Sequence, residues 1–304
     1  MTSAYQYQQL WETKLAERLN KPQNWKETCF IKYMDVQTEV MPYIGTAGEP
    51  AVGTALFAAA GDRSTLTNVV PLVVITESSD TISIVTTDYD SAYVDYADQA
   101  QSQYVSWVDI GDLLARKIGE RIESITLANY GSWTAVGDVG AGVVGLGSST
   151  LTVSATNIDD IIRGVIQQIQ TANGFEVYQR EGGFITWRPA DWNYLTQFMQ
   201  SNGFYQADLA LKDGPKVNEN MGVPYMGLYH YVSTLHTAGH LMGGVRRVLV
   251  LGLQKTTYGK TYIAENPPGT NGGMLSGTAI HTRLDYGLKV PTNLAPVIYN
   301  INVA

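Results

Sequence analysis

The chain has 304 residues, enough for one large domain or two or three smaller ones, each with its own hydrophobic core. Charged residues make up only 16% and the net charge is −8, with no basic cluster beyond Arg246-Arg247, which argues against sequence-specific DNA binding. The single cysteine, Cys29, excludes an intrachain disulfide and a cysteine-based metal cluster; no apolar run is long enough to span a bilayer as a helix, and the opening residues lack the order of a signal peptide.

In chain order, Leu10, Trp11, Leu15 and Leu19 recur at the spacing of a short amphipathic helix that Pro22 ends. Such a helix is unstable alone and needs a surface to lie on. Residues 30–67, punctuated by Pro42, Gly45, Gly48, Pro50, Gly53 and Gly61, predict an extended, irregular excursion. The β-branched runs VVPLVVI (69–75) and TISIVTT (81–87), joined by a polar turn at 78–80, predict a hairpin, with Pro71 placing its first strand at an edge. From Tyr93 to Ala128, Ile110, Leu114, Ile118 and Ile122 recur every four residues and predict a long helix, in which Arg116 and Glu120 pair one turn apart. Residues 131–147 are glycine-rich and read as a connector. Asn157 then caps a helix over IDDIIRGVIQQIQTA, with Ile158, Ile161, Ile162, Val165, Ile166 and Ile169 on one face and Asp159 and Asp160 in the first turn. GFITW predicts a strand, and Pro189 opens a third helix that stops at Asn202-Gly203. Beyond Gly214 the pattern turns to strands: VPYMGLYHYVST (223–234), RRVLVLGL (246–253), KTYIA (260–264), AIHTRLDYGLKV (279–290) and APVIYNINVA (295–304). The class is α+β, without the regular alternation of a Rossmann or TIM-barrel fold.

Nineteen Tyr and six Trp against six Phe favour rings that carry a polar handle, as at partly wet contacts. Charge is uneven. Residues 33–115 hold twelve acids and one base, Arg63, a balance of −11 that leaves +3 for the rest of the chain. Two readings fit: the acidic part of one copy meets the mildly basic part of the next, or the acids form a solvated face.

Reaction chemistry is sparse. His236 and His240 stand four apart, as in helical zinc sites, but Thr237 occupies the place of the expected glutamate and the surrounding glycines predict a loop. Asp88, Asp90, Asp95 and Asp98 lack the full calcium-loop pattern, so capping or solvation of the following helix is the simpler account. The serines of GLGSS (145–149) follow no suitable strand for a nucleophile elbow. No catalytic residue, cofactor site or metal site is assigned.

The order and size of these parts resemble the HK97-type major capsid protein of tailed double-stranded DNA phages over nearly the whole chain. The resemblance divides the chain into an N-terminal arm (1–44), an extended β-hairpin loop (45–92), a peripheral domain with a long spine helix (93–156), an axial domain (157–264) and returning peripheral strands (265–304). ITWRPADWNYLTQFMQSNGFY, Gly222-Val223-Pro224-Tyr225 and the closing RLDYGLKVPTNLAPVIYNINV are similar to the family's helix start, strand-entry turn and C-terminal strand. It implies a homo-oligomer of hexamers and pentamers enclosing double-stranded DNA. Such a shell assembles in the bacterial cytoplasm, alone or with separate scaffold, cement and portal proteins. DNA contact would be weak and non-specific, on an inner face less acidic than the outer. Candidate contacts between subunits are Leu10, Trp11, Leu15, Asp62, Arg63, Glu77, Asp80, Arg246 and Arg247. The chain departs from the family's covalently linked members, because no lysine lies between Lys32 and Lys117 to form an isopeptide from the extended loop. Two alternatives stand beside this reading: a tail-tube or baseplate protein, which a long helix disfavours, and a metal-dependent hydrolase using His236 and His240.

Overall fold

A computed structural model describes residues 23–44, 77–95, 107–135, 151–171, 175–201, 223–269, 274–292, 294 and 297–303. The first sheet grows around β10 (Leu249–Gln254), an apolar run buried along nearly its whole length, as a strand covered on both faces must be. β1 (Cys29–Met34) runs parallel beside it, from Cys29 opposite Leu249 to Met34 opposite Gln254. On its other side β10 pairs antiparallel with the end of β12 (Gly277–Lys289). The earlier part of β12 lies between β11 (Thr261–Glu265) and β4 (Thr86–Asp95), which closes the five-stranded sheet. Side chains alternate across these strands. Ile280 of β12, with Ala92 and Ile263 beside it, packs against Leu114 of helix α2 (Trp107–Ala128).

The second sheet has six strands in the order β5-β13-β9-β6-β8-β7, where β5 is Thr134–Ala135, β6 Gly183–Trp187, β7 Val223–Tyr225, β8 Leu228–Val232, β9 His240–Val245 and β13 Ile298–Asn302. Every residue of β6 is buried. Helix α3 (Ile158–Thr171) lays its isoleucine stripe against this sheet: Ile158, Ile161, Ile162, Val165 and Ile169 are all fully buried and share one core with Phe184, Leu241 and Ile298. Helix α5 (Pro189–Ser201) adds Leu195 and Met199, and the short α4 (Phe175–Glu181) precedes β6. No helix among the described residues is long and apolar enough to cross a membrane.

The structure departs from sequence expectation at several places, each with a local cause. Within residues 30–67, expected to be irregular, the described part holds most of β1 and all of β2 (Thr38–Ile44). Ahead of them Asn24–Thr28 forms the short helix α1, and Trp25 and Cys29 are each 1% exposed in the main core. This part of the expected arm thus lies in the body. The polar segment 78–80, expected to turn, lies inside β3 (Glu77–Ser83), which pairs antiparallel with β2. Residues 69–75 fall outside the described residues. Tyr93–Asp95 belongs to β4, residues 96–106 fall outside the described residues, and the helix is described over Trp107–Ala128. The strand expected over 223–234 is a hairpin, since Met226 and Gly227 both have positive φ (47° and 80°) and make the tight turn between β7 and β8. The glycines of HLMGG, read as a loop, sit in β9 because the backbone of Val297 comes so close to Gly244 (φ 142°) that a Cβ would overlap it. The Asn157 side chain accepts from Ser154 N and donates to Thr152 O, bracing the loop before α3, while its carbonyl takes the first helical bond from Ile161 N.

Candidate assembly surfaces

β2 and β3 form an antiparallel two-stranded ribbon, with Thr38 opposite Ser83 and Ile44 opposite Glu77. Its root is seated on the first sheet. Ile82 and Ile84 of the ribbon cluster with Met34 and Val250 of the sheet, and Ile84 N donates to Gln37 O at 2.8 Å where the two strands enter. Three acids at this root meet three lysines of the body: Glu39 with Lys32 at 2.7 Å, Asp35 with Lys255 at 3.6 Å and Asp80 with Lys289 at 3.1 Å. Asp80 is the buried one. Both its oxygens also accept bonds from Thr292, from the backbone N at 2.6 Å and from Oγ1 at 2.9 Å. Burial alone would raise the Asp80 pKa, but the bonds from Thr292 and Lys289 outweigh it and hold the carboxyl below its usual range.

The acids of β4 follow the same logic. Asp88 pairs with Arg121 at 2.8 Å and Asp90 with Lys117 at 3.4 Å, around a cavity of about 340 Å³ between β4, β12 and α2. They therefore face helix cations from a strand, in place of the helix cap read from sequence; Asp98 lies outside the described residues. The opposite face of this sheet carries the ribbon at one end and is exposed along β4 and β11. Tyr89 is 70% exposed, and Tyr93 and Tyr262 are exposed beside it, with Arg283 over the Tyr89 ring at 5.7 Å. The Tyr89, Ser91, Tyr93 alternation in β4 was the available sequence signal for this wet aromatic face.

Of the residues singled out as contacts between subunits, Leu10, Trp11, Leu15, Asp62 and Arg63 fall outside the described residues. The backbone of Glu77 lies in the ribbon, opposite Ile44, and Asp80 is the buried root residue. Arg246 donates through Nε to Glu181 O at 2.8 Å, reaches Glu27 at 3.5 Å and stacks on the Tyr229 ring at 4.1 Å. Arg247 (φ 59°) turns the chain between β9 and β10 and lies 3.8 Å from Glu181. Both arginines have partners within their own chain.

The two histidines are held apart in role. His240 stacks on Tyr130, with centroids 3.6 Å apart, and its Nδ1 lies 3.0 Å from Asn300 Oδ1. His236 precedes β9, and burial lowers its pKa to about 4, against an opposing backbone bond with His240. Among the described residues no group of three or more His, Cys, Asp and Glu side chains is placed to hold a metal ion. GLGSS (145–149) lies outside the described residues.

No protein-family model and no curated protein matches the sequence. Solved structures do match its fold. A chain of Microbacterium phage Oxtober96 superposes with TM-score 0.57 at 13% identity, covering 93% of this chain and 91% of that one. The virus-like particle from Pyrococcus furiosus matches with TM-score 0.55 at 12% identity, over 97% and 99% of the two chains. The mature capsid of bacteriophage PhiM1 matches with TM-score 0.54 at 11% identity, over 93% and 87%. The chain has the capsid-protein fold. Its two sheets and packed helices belong to the α+β class, consistent with the HK97-type major capsid proteins that the sequence resembles. The chain thus shares its architecture nearly end to end with these structural neighbours.

Proposed function

We propose that the protein is a major capsid protein, the repeating subunit of an icosahedral shell built from hexamers and pentamers around double-stranded DNA. The observation that carries this reading is the fold match, which spans more than nine-tenths of this chain and nearly the whole of chains taken from phages, a virus-like particle and a mature capsid. The expected arm (1–44) leads into the β2–β3 ribbon, which carries the extended loop, α2 is the spine helix, and the sheet around β6 with α3 and α5 forms the axial domain. Each contact contributes modestly, and many together close a surface without free edges. No residue is given a catalytic role. The 22-residue helix α2 favours a shell over a strand-dominated tail tube.

Electron microscopy of the expressed protein tests this reading directly. Closed round particles are the expected result. Open tubes, or only monomers under all conditions and with co-expressed scaffold, would overturn it.

A further inference from the structure

The root of the β2–β3 ribbon sits over one point of the first sheet where two glycines face each other across strands: Gly252 of β10 is the register partner of Gly287 of β12. Neither is needed for a left-handed backbone, since neither is among the positive-φ glycines. Space is what both positions require. A Cβ on Gly252 would stand 2.9 Å from both Ile82 Cδ1 and Met34 Sδ, and a Cβ on Gly287 would overlap the carbonyl oxygen of Ser83. Ile82 and Ser83 are the last residues of β3, at the ribbon's root. The paired glycines thus open a notch in the sheet that receives the ribbon's backbone on one side and its buried isoleucine on the other.

Three ion pairs surround this notch, and they share one polarity: the acid is always on the ribbon or its entry bend, the lysine always on the body. Lys32–Glu39 holds β2, and Lys289–Asp80 with Thr292 holds β3. The two strands are therefore restrained separately, so the ribbon resists rotation about its own axis as well as bending away from the sheet. An antiparallel pair of strands without other cover has little stability of its own, and its direction has to be imposed from outside.

We propose that the Gly252–Gly287 notch and the flanking lysine clasps form a seat that fixes the angle at which the ribbon leaves the body, making it a preset arm and not a freely swinging one. The device is a property of the single chain. It would bear on shell curvature if the chain assembles as proposed above, but it does not depend on that reading.

The test measures an intramolecular distance in the full chain. Spin labels are placed at Ser79→Cys in β3 and Ala128→Cys at the end of α2, both exposed, while Cys29 is buried and escapes labelling. Labelled chains are diluted in excess unlabelled protein, so that pulsed electron–electron resonance reads only pairs within one molecule, whatever it assembles into. The parent chain is expected to give one narrow distance population. Gly287→Ala should shift that population or widen it at least twofold, whereas Gly131→Ala, with nothing within 4 Å of the added methyl, should leave it alone. If Gly287→Ala does not fold, the double variant Lys32→Ala/Lys289→Ala decides, because it removes only two partly exposed side chains from the sheet; it too should widen the distribution. An unchanged distribution in folded Gly287→Ala, or in the lysine variant where Gly287→Ala fails to fold, overturns the seat. Microscopy of the same variants is a separate readout for the shell.

Discussion

Trp187 and His230 lie stacked and fully buried in neighbouring strands of the second sheet. The indole N–H donates to His230 Nδ1 at 2.8 Å, so that nitrogen must be bare, and the proton sits on Nε2 facing the Tyr225 carbonyl at 3.1 Å. Burial lowers the His230 pKa to about 4, against the pull of the Tyr225 carbonyl in the other direction. An unfolded histidine titrates near ~6.5, so between about pH 6.5 and 4 the unfolded chain binds the proton that the folded chain refuses. The stabilising contribution is complete above about pH 6.5 and is lost as pH falls through that window, a difference of about 3 kcal/mol. His230→Phe should remove this share of the acid sensitivity. It should also cost about 1–3 kcal/mol at pH 7, because the Trp187 N–H and the Tyr225 carbonyl lose their partner. Urea unfolding of unassembled chains at pH 7 and pH 5 checks both effects: a variant as acid-sensitive as the parent would contradict the neutral, buried imidazole. Neither partner could be read from sequence, where His230 showed only as part of an aromatic strand. Its neighbour Trp187 is 43 residues away.

At the scale of elements, α3 was the most legible part of the chain. Its apolar positions repeat with the helical period over four turns, and no other arrangement buries all of them at once. Ile162→Ala should therefore cost about 2–5 kcal/mol, the range for deleting a fully buried aliphatic side chain. Arg163→Ala, next in sequence but on the exposed side and paired with Asp159 and Asp160, should cost under about 1 kcal/mol. Urea midpoints at constant slope measure both, and equal losses would mean that the stripe is misassigned. The ribbon was legible only by half. The strand character of β3 showed in its β-branched residues, but its partner did not, because a two-stranded pairing is chosen by the turn and by what lies beneath it. The notch beneath it consists of two glycines, residues that carry no side-chain signal at all. β9 was missed for the same reason: Gly243 and Gly244 look like a loop in sequence and serve close backbone packing in the fold.

For the whole molecule, the packed body includes the chain from about residue 23 onward, since Trp25 and Cys29 are core residues and β1 completes the first sheet. A chain starting at Gln23 should keep the parent's unfolding temperature within a few degrees and fail to form shells, whereas one starting at Asp35 should lose the cooperative transition because β10 loses a neighbour. Calorimetry and microscopy on the two truncated chains separate these outcomes; assembly by the first would remove the arm from the proposed contacts. The uneven charge also reads differently in three dimensions. Asp35, Glu39, Asp80, Asp88 and Asp90 of the acidic stretch pair with lysines and arginines of their own chain, so much of the asymmetry joins ribbon and strand to the body. Composition, helical periodicity and the order of elements were enough to determine the α+β class and the resemblance to capsid proteins, because those properties depend on local propensity and patterning. Which strands pair, where the ribbon is anchored and which acids meet which lysines were decided by tertiary structure. Those choices rest on contacts between residues far apart in the chain, many of them made by glycines and backbone atoms that leave no trace in a sequence pattern.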